Sequence, residues 1–337
     1  MTNALCRDAG IRVPLICGAM YPCSNPELVA EVSRAGALGV VQPLSLTYVH
    51  GHDFREGLRW ILAHAEGGAI GMNALIEASS TRYQRRMEEW VEIALEEGVR
   101  FFVTSLGNPR WVVDRVSPHG GRVYHDVTER RWALKGRDEG VHGLIGVNRR
   151  AGGHPGPRTA PSLLEEVGDL GLPVVAAGGF ATGAEVKEAL AMGYVGVQMG
   201  TRFIATPECS ASDAYKEAIL EAGEEDIVHT KRITGVPVAV IRTAYVEALG
   251  LEAGPLLAFL LRHPRTKRWA RTLLGLWSLR ALKSSSGTDG ETSTKGGKEY
   301  WQAGRSVGSI LALKPASLVV REVETAIFGF GAPPAAP

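Results

Sequence analysis

Three glycine-rich turns and one histidine carry the clearest chemical signals in the chain. The turn Ala177-Gly178-Gly179-Phe180-Ala181-Thr182-Gly183 sets two residues without a Cβ side by side, after a short apolar run. Such a backbone lets N–H groups approach a phosphate closely, and a helix starting there adds the positive end of its dipole. The turn Gln198-Met199-Gly200-Thr201-Arg202 offers one more bare position and a hydroxyl. Together the two turns read as a phosphate cup for a mononucleotide. The third turn, Arg150-Ala151-Gly152-Gly153-His154-Pro155-Gly156, surrounds a histidine with glycine and proline. A flexible loop poor in side chains gives an imidazole nothing to pack against, so His154 is expected to move a proton near neutral pH. Other polar groups have plainer readings. His50-Gly51-His52-Asp53 lacks the spacing of a metal site, and Asp53 stands where it would cap the next helix. Cys6, Cys17, Cys23 and Cys209 match no zinc pattern and are too few for a disulfide scaffold.

The elements that must position these residues alternate in a regular way. Short apolar runs at 13–18, 38–41, 69–72, 100–104, 122–125, 143–147, 173–177 and 195–199 read as strands. Amphipathic stretches at 26–35, 54–65, 82–97, 108–116, 128–139, 162–170, 183–192 and 212–222 read as the helices between them. Eight βα units in sequence predict a closed (β/α)8 barrel over residues 1–222. A doubly wound sheet would place a G-x-G-x-x-G turn after the first strand, and Gly18-Ala19-Met20-Tyr21-Pro22 is not one. In barrels, phosphate sites gather after strands seven and eight, where two of the three turns lie.

Residues 223–337 follow a different pattern and are expected to form a mainly helical extension or lid. Segment 253–283 has seven Lys/Arg and neither Asp nor Glu. Residues 284–298, rich in Ser, Thr, Gly and Lys, read as a mobile loop. A final helix is expected at 315–328, packing back on the barrel.

Composition narrows the class. The 337 residues are 45% hydrophobic and 22% charged, the balance of an ordinary folded protein. With 37 Lys+Arg against 36 Asp+Glu, the formal charge is +1, so nucleic acid is not expected as a partner. The apolar run at 253–261 is too short to span a membrane, and no leader pattern opens the chain. Cytoplasm is therefore the expected location.

The quoted turns, with Pro14-Leu15-Ile16-Cys17-Gly18-Ala19-Met20 and Gly71-Met72-Asn73, resemble the nitronate monooxygenase (2-nitropropane dioxygenase) family. That family is similar to FMN-dependent enoyl-ACP reductases and NADH:quinone reductases. The resemblance implies an FMN-binding barrel. Gly178, Gly179, Gly200 and Thr201 would hold the FMN phosphate, with Gln198 beside the phosphate arm. Ala19 and Met20 would lie along the isoalloxazine, and Asn73 would hydrogen-bond it. His154 would be the active-site histidine, on a loop that Gly152 and Gly153 let pass close to the flavin. Cys17 and Cys23 would pack near the flavin as small residues. One position departs from the pattern. Many relatives carry His-Lys at the end of strand five, where this chain has His125-Asp126. An Asp there would change the charge facing the flavin; alternatively it caps the following helix.

Two enzymatic activities fit these residues. The first expectation is oxidation of alkyl nitronates with O2 to carbonyl compounds and nitrite. The alternative is an NAD(P)H-dependent reductase acting on a quinone, an enone or an acyl-CoA/ACP thioester. A third reading makes segment 253–283 a surface helix that docks on acidic lipid or a partner; it also fits a lid or dimer element, or a clamp for an anionic substrate such as a CoA thioester. A small-molecule substrate is expected in either enzymatic case, and a homodimer is compatible with both.

Overall fold

The computed structural model describes residues 3–77, 80–232, 235–252, 254, 274, 279–287 and 299–329. Eight parallel strands close into a barrel in the order in which they occur along the chain. They are β1 (Leu15–Cys17), β2 (Leu38–Val41), β3 (Ile70–Ile76), β4 (Phe101–Leu106), β5 (Arg122–Val127), β6 (Gly143–Val147), β7 (Val174–Ala177) and β8 (Gly196–Met199). Ile16 pairs in register with both Leu38 of β2 and Gln198 of β8, which closes the ring.

Side chains alternate across each strand, so one set fills the barrel and the other meets the helices. Ile16, Val40, Phe101, Tyr124, Ile145 and Val175 form the inner cluster. Tyr124 shows how tightly they fit. Its ring fills the place where a Cβ on Gly143 would stand, only 2.3 Å away, and its hydroxyl donates to Asp8 at 3.0 Å. Asp8 belongs to α1 (Ala4–Ala9), a helix before the first strand that the sequence reading did not anticipate; Leu5 of this helix joins the inner cluster.

The outer helices use the apolar spacing read from the sequence. They include α2 (Pro26–Arg34), α3 (Phe54–His64), α4 (Thr81–Glu96), α5 (Arg110–Val116), α6 (Arg130–Asp138), α7 (Ala160–Val167) and α8 (Gly183–Met192). On α4 the buried side is Met87, Trp90, Val91, Ala94 and Leu95, the i, i+3, i+4 stripe of a core-facing helix. Asp53 caps α3 by accepting from the amides of Arg55 and Glu56, as its place in the sequence suggests. Thr128 does not cap α6, which starts two residues later, after Glu129.

The extension adds a ribbon of two antiparallel strands, β9 (Ile227–Thr230) and β10 (Val238–Ile241), absent from the sequence reading. Residues 279–286 are helical, so Ser284, Ser285 and Ser286 are not part of a loop. Residues 288–298 of the expected loop, and most of the basic segment 253–283, lie outside the described residues. The C-terminal helix, Ala316–Phe328, packs against α8 and α2. The approach to α8 is close: a Cβ on Gly183 would lie 2.6 Å from Ala326 Cβ.

Candidate active site

At the end of β5, two neighbouring residues take opposite sides of the barrel wall. The strand continues to Val127, beyond the expected end at His125. His125 therefore faces outward, under α6. Its Nδ1 lies 2.9 Å from Thr104 Oγ1, and its ring is 3.3 Å from where a Cβ on Gly136 would stand. Burial, with the nearby Lys135 charge adding to it, lowers its pKa to about 4. His125, which as the match to the relatives' His-Lys pair was expected beside the flavin together with Asp126, therefore fails that expectation on strand parity: it is a neutral histidine of the outer packing layer.

Asp126 has the inward parity of Tyr124, one step closer to the C-terminal mouth, and pairs in register with the inner residue Ile145. Its Oδ1 is buried with no hydrogen-bond partner. Burial raises its pKa to about 7. It does not cap α6, so the alternative reading of this residue also fails. A half-buried carboxyl with one unpartnered, buried oxygen is costly to charge, and its pKa rises so that the neutral form is populated near pH 7.

The His154 loop is fastened rather than flexible. Asn148, buried at the end of β6, donates from Nδ2 to Gly178 O at 2.8 Å and accepts at Oδ1 from the Arg150 amide at 2.8 Å. Arg150 forms a two-pronged pair with Glu224 at 2.6 and 2.8 Å. The Ala239 amide of β10 donates to Gly153 O at 2.7 Å, and the Arg305 amide to Arg150 O at 2.9 Å. A Cβ on Gly152 would meet Gly304 N at 2.8 Å, so the extension lies directly against this loop. The imidazole of His154 is reachable by solvent, yet the protein around it lowers its pKa by desolvation.

The turns after β7 and β8 differ from each other. Gly178 and Gly179 have φ of +108° and +83°. Side chains there would strike the strand-six loop, at Ala151 N (2.7 Å) and Arg150 Nε (2.5 Å). Glycine at these positions is thus already required by protein contacts. The start of α8 is also occupied: Glu185 accepts from the Ala181 and Thr182 amides at 2.7 and 2.9 Å, completing a capping box. The expected dipole contribution from this helix is therefore met by its own carboxylate. The β8 turn is more open. A Cβ on Gly200 would meet nothing nearer than Met20 Sδ at 3.4 Å. Thr201 Oγ1 accepts from the Gly304 amide at 3.0 Å, which leaves its hydroxyl hydrogen free to donate.

The remaining expected residues gather at the same mouth. Gln198 faces inward, with its Cγ and Cδ 2.9 Å from where a Cβ on Gly18 would stand. Ala19 packs against the inner cluster. The Met20 amide donates to Ser24 Oγ at 2.8 Å. Asn73 is buried and, by the parity of β3, also inward. Cys17 and Cys23 lie instead in the outer core, where Cys209 Sγ donates to Cys23 O at 3.5 Å. His52 is exposed, and no cluster of His, Cys, Asp or Glu among the described residues could hold a metal ion. No helix among the described residues is long and apolar enough to cross a membrane. The sequence reading missed Asn148 and Gly304. Asn148 had a signal: a lone amide at the end of an apolar strand, two residues before a glycine-rich loop.

Comparison with known proteins bears on the chemistry. The family described as nitronate monooxygenase matches residues 3–295. A (3aS,4S,5R,7aS)-5-hydroxy-7a-methyl-1-oxo-octahydro-1H-indene-4-carboxyl-CoA dehydrogenase of Mycobacterium tuberculosis is 31% identical over 244 residues, covering 71% of this chain. The match spans 66% of that enzyme, just under two thirds of its length. A probable nitronate monooxygenase of Staphylococcus saprophyticus is 26% identical over 280 residues, covering 71% of this chain and 78% of that protein. Among solved structures, FabK of Thermotoga maritima superposes with a TM-score of 0.74 at 25% identity, over 97% of this chain and 96% of FabK. Nitroalkane oxidase of Streptomyces ansochromogenes shares the fold, with a TM-score of 0.71 at 20% identity over 96% of this chain and 98% of that one.

Proposed function

The chain belongs to the nitronate monooxygenase family and is a flavin-dependent oxidoreductase, and on that premise we propose that it binds FMN at the barrel mouth and acts on a neutral carbonyl substrate of the acyl-thioester class. FMN, when bound, supplies the acceptor or donor of an electron pair. The residues present fit such a group. Gly200 leaves its Cβ position nearly open, and the Thr201 hydroxyl keeps a hydrogen to donate to a phosphate oxygen. Gly178 and Gly179 shape the adjoining turn, and Gln198, Ala19, Met20 and Asn73 line the mouth where the ring system would lie.

The observation that carries the substrate reading is the unpartnered carboxyl oxygen of Asp126. With a pKa raised to about 7, this group can both take and give a proton at neutral pH. A neutral thioester with an acidic C–H beside its carbonyl needs such a base. In the reducing direction the same carboxyl returns the proton to carbon. His154, whose surroundings favour the uncharged ring, keeps one N–H to donate to the substrate carbonyl oxygen. An alkyl nitronate has already lost its proton and gains nothing from a base. Its negative charge would also meet the Asp126 carboxyl in a desolvated site. The relative from Mycobacterium tuberculosis, described as acting on a carboxyl-CoA compound, supports the thioester class.

Nitronate oxidation is the second reading, supported by the staphylococcal relative described as a probable nitronate monooxygenase. There His154 would orient the nitronate or take a proton from the neutral nitroalkane. Anaerobic mixing of the flavin-loaded protein with an acyl-CoA, an enoyl-CoA after NADH or NADPH, and propyl nitronate separates the two. Bleaching by the acyl-CoA, or NAD(P)H bleaching reversed by the enoyl-CoA, is expected. Bleaching by propyl nitronate alone would overturn the thioester reading.

A further inference from the structure

Building on the thioester reading above, we propose that Arg82, Arg85 and Arg86 on α4 form a binding site for the phosphorylated adenosine diphosphate end of a CoA thioester. Helix α4 follows the C-terminal end of β3, so its first turns stand on the mouth side of the barrel. Residues three and four apart share a helix face, which puts these guanidinium groups together. Like charges at that spacing disfavour the helix, so their clustering does not serve its formation. With Thr81 and Glu89 they line a surface cavity.

Their pairing sets them apart. Arg55, Arg110, Arg115 and Arg130, on neighbouring helices, each meet a carboxylate. Among the described residues, Arg82 and Arg85 meet none, although both are exposed. Arg86 bonds instead to the Tyr48 hydroxyl at 2.6 Å, with its guanidinium 5.9 Å from the centre of the Tyr48 ring.

A further cation reaches the same place. Lys283 donates to the Tyr48 carbonyl at 3.1 Å. It closes segment 253–283, whose Arg262, Arg265, Lys267, Arg268, Arg271 and Arg280 have no acidic residue among them. Tyr48 thus brings Arg86 and Lys283 together from positions far apart in the chain, and Glu89 is the one carboxylate among the described residues lining the cavity. Clustered guanidinium groups match phosphate oxygens with paired N–H donors. CoA carries a pyrophosphate and a ribose 3′-phosphate on one adenosine. NADPH offers the related 2′-phosphate, so the position of the phosphate identifies the source.

Calorimetry on the flavin-loaded protein tests this with 3′,5′-ADP and 2′,5′-ADP, on the native chain, on the double variant Arg82→Ala, Arg85→Ala, and on Arg85→Glu. The native chain should bind 3′,5′-ADP more tightly than 2′,5′-ADP, with affinity falling as salt rises. Both variants should weaken 3′,5′-ADP by about tenfold or more, the effect of losing one charge-assisted hydrogen bond. In turnover, the preference of the native chain for a CoA thioester over its pantetheine counterpart should collapse in the variants. Equal binding by native and variant proteins, or a preference for 2′,5′-ADP, would overturn the site. Arginine-dependent binding of 3′,5′-ADP without thioester turnover would support the site while removing the proposed function. Thioester turnover with the CoA preference intact in the variants would do the reverse.

Discussion

On the β6–β8 side of the barrel mouth, the chain works with its backbone. Gly152, Gly153, Gly178 and Gly179 bring loops within contact of one another, the turn at Gly200 stays open, and the extension fastens the His154 loop through Gly304 and Ala239. On the β3–β5 side it works with side chains: Asn73 and Asp126 inside the wall, and Arg82, Arg85 and Arg86 outside it. On the proposed reading, one side holds a rigid cofactor in place and the other changes a proton or a charge. Substitutions on the two sides should therefore fail differently, the first by losing flavin or loop structure, the second by losing turnover with the flavin still bound.

The sharpest contrast lies within β5. Asp126→Asn should cut turnover with a thioester by about 10²–10⁴-fold, the usual contribution of a positioned proton carrier, while the protein stays yellow. His125→Asn, one residue away but outward, should lower the melting temperature and keep both flavin and turnover. Steady-state kinetics beside flavin absorbance checks both, and equal losses in the two variants would erase the contrast.

The same pair predicts opposite dependences of stability on pH. Asp126 rises from its ordinary 3.8 to about 7, so across that window the native state holds the proton more tightly than the unfolded chain. Stability from this residue is present at low pH and falls as pH rises towards 7. His125 drops from 6.5 to about 4, so the unfolded chain holds its proton more tightly and stability falls as pH drops below 6.5. Denaturant titrations of the native chain and Asp126→Asn from pH 4 to 8 should differ by a few kcal/mol at the alkaline end, in favour of the variant. A difference independent of pH would contradict the burial of this carboxyl.

On the backbone side, Gly178→Val would force a side chain into Ala151 at a positive φ and should destabilise the protein by about 1–3 kcal/mol or more, with or without flavin. Gly200→Val meets only the flexible end of Met20, so its effect should appear as weaker flavin retention at nearly native stability. Thermal melts of loaded and flavin-free protein separate the two. The smallest effect is expected for Arg150→Ala. Its pair with Glu224 is about two-fifths exposed on each side, so the loss should stay within about 1 kcal/mol.

The barrel was legible because each strand is a short apolar run and each helix carries a stripe, and both signals are local. The positions of the three glycine-rich turns, at the ends of β6, β7 and β8, were legible for the same reason. The facing of β5 was not. Ending the strand at His125 hid the fact that Asp126 continues the inward alternation of Tyr124, and a one-residue change of parity exchanges core for cavity. The ribbon β9–β10 was missed because its strands are four residues each and pair with one another outside the βα rhythm. The fastening of the His154 loop was beyond reach from sequence. Its partners, Ala239, Gly304 and Arg305, are distant in the chain and act through backbone groups, which no residue type reveals. Asn148 could have been read, since a buried amide at a strand end must find partners.

The most direct test is titration of the Asp126 carboxyl itself, followed as the carboxylic acid C=O band in infrared difference spectra of the flavin-loaded protein, with Asp126→Asn as the reference. A band lost with a midpoint of about pH 7 and absent from the variant is the predicted result. A carboxyl already ionised at pH 5 would mean that Asp126 has a partner or free access to water, and would contradict its role as the proton carrier of the site.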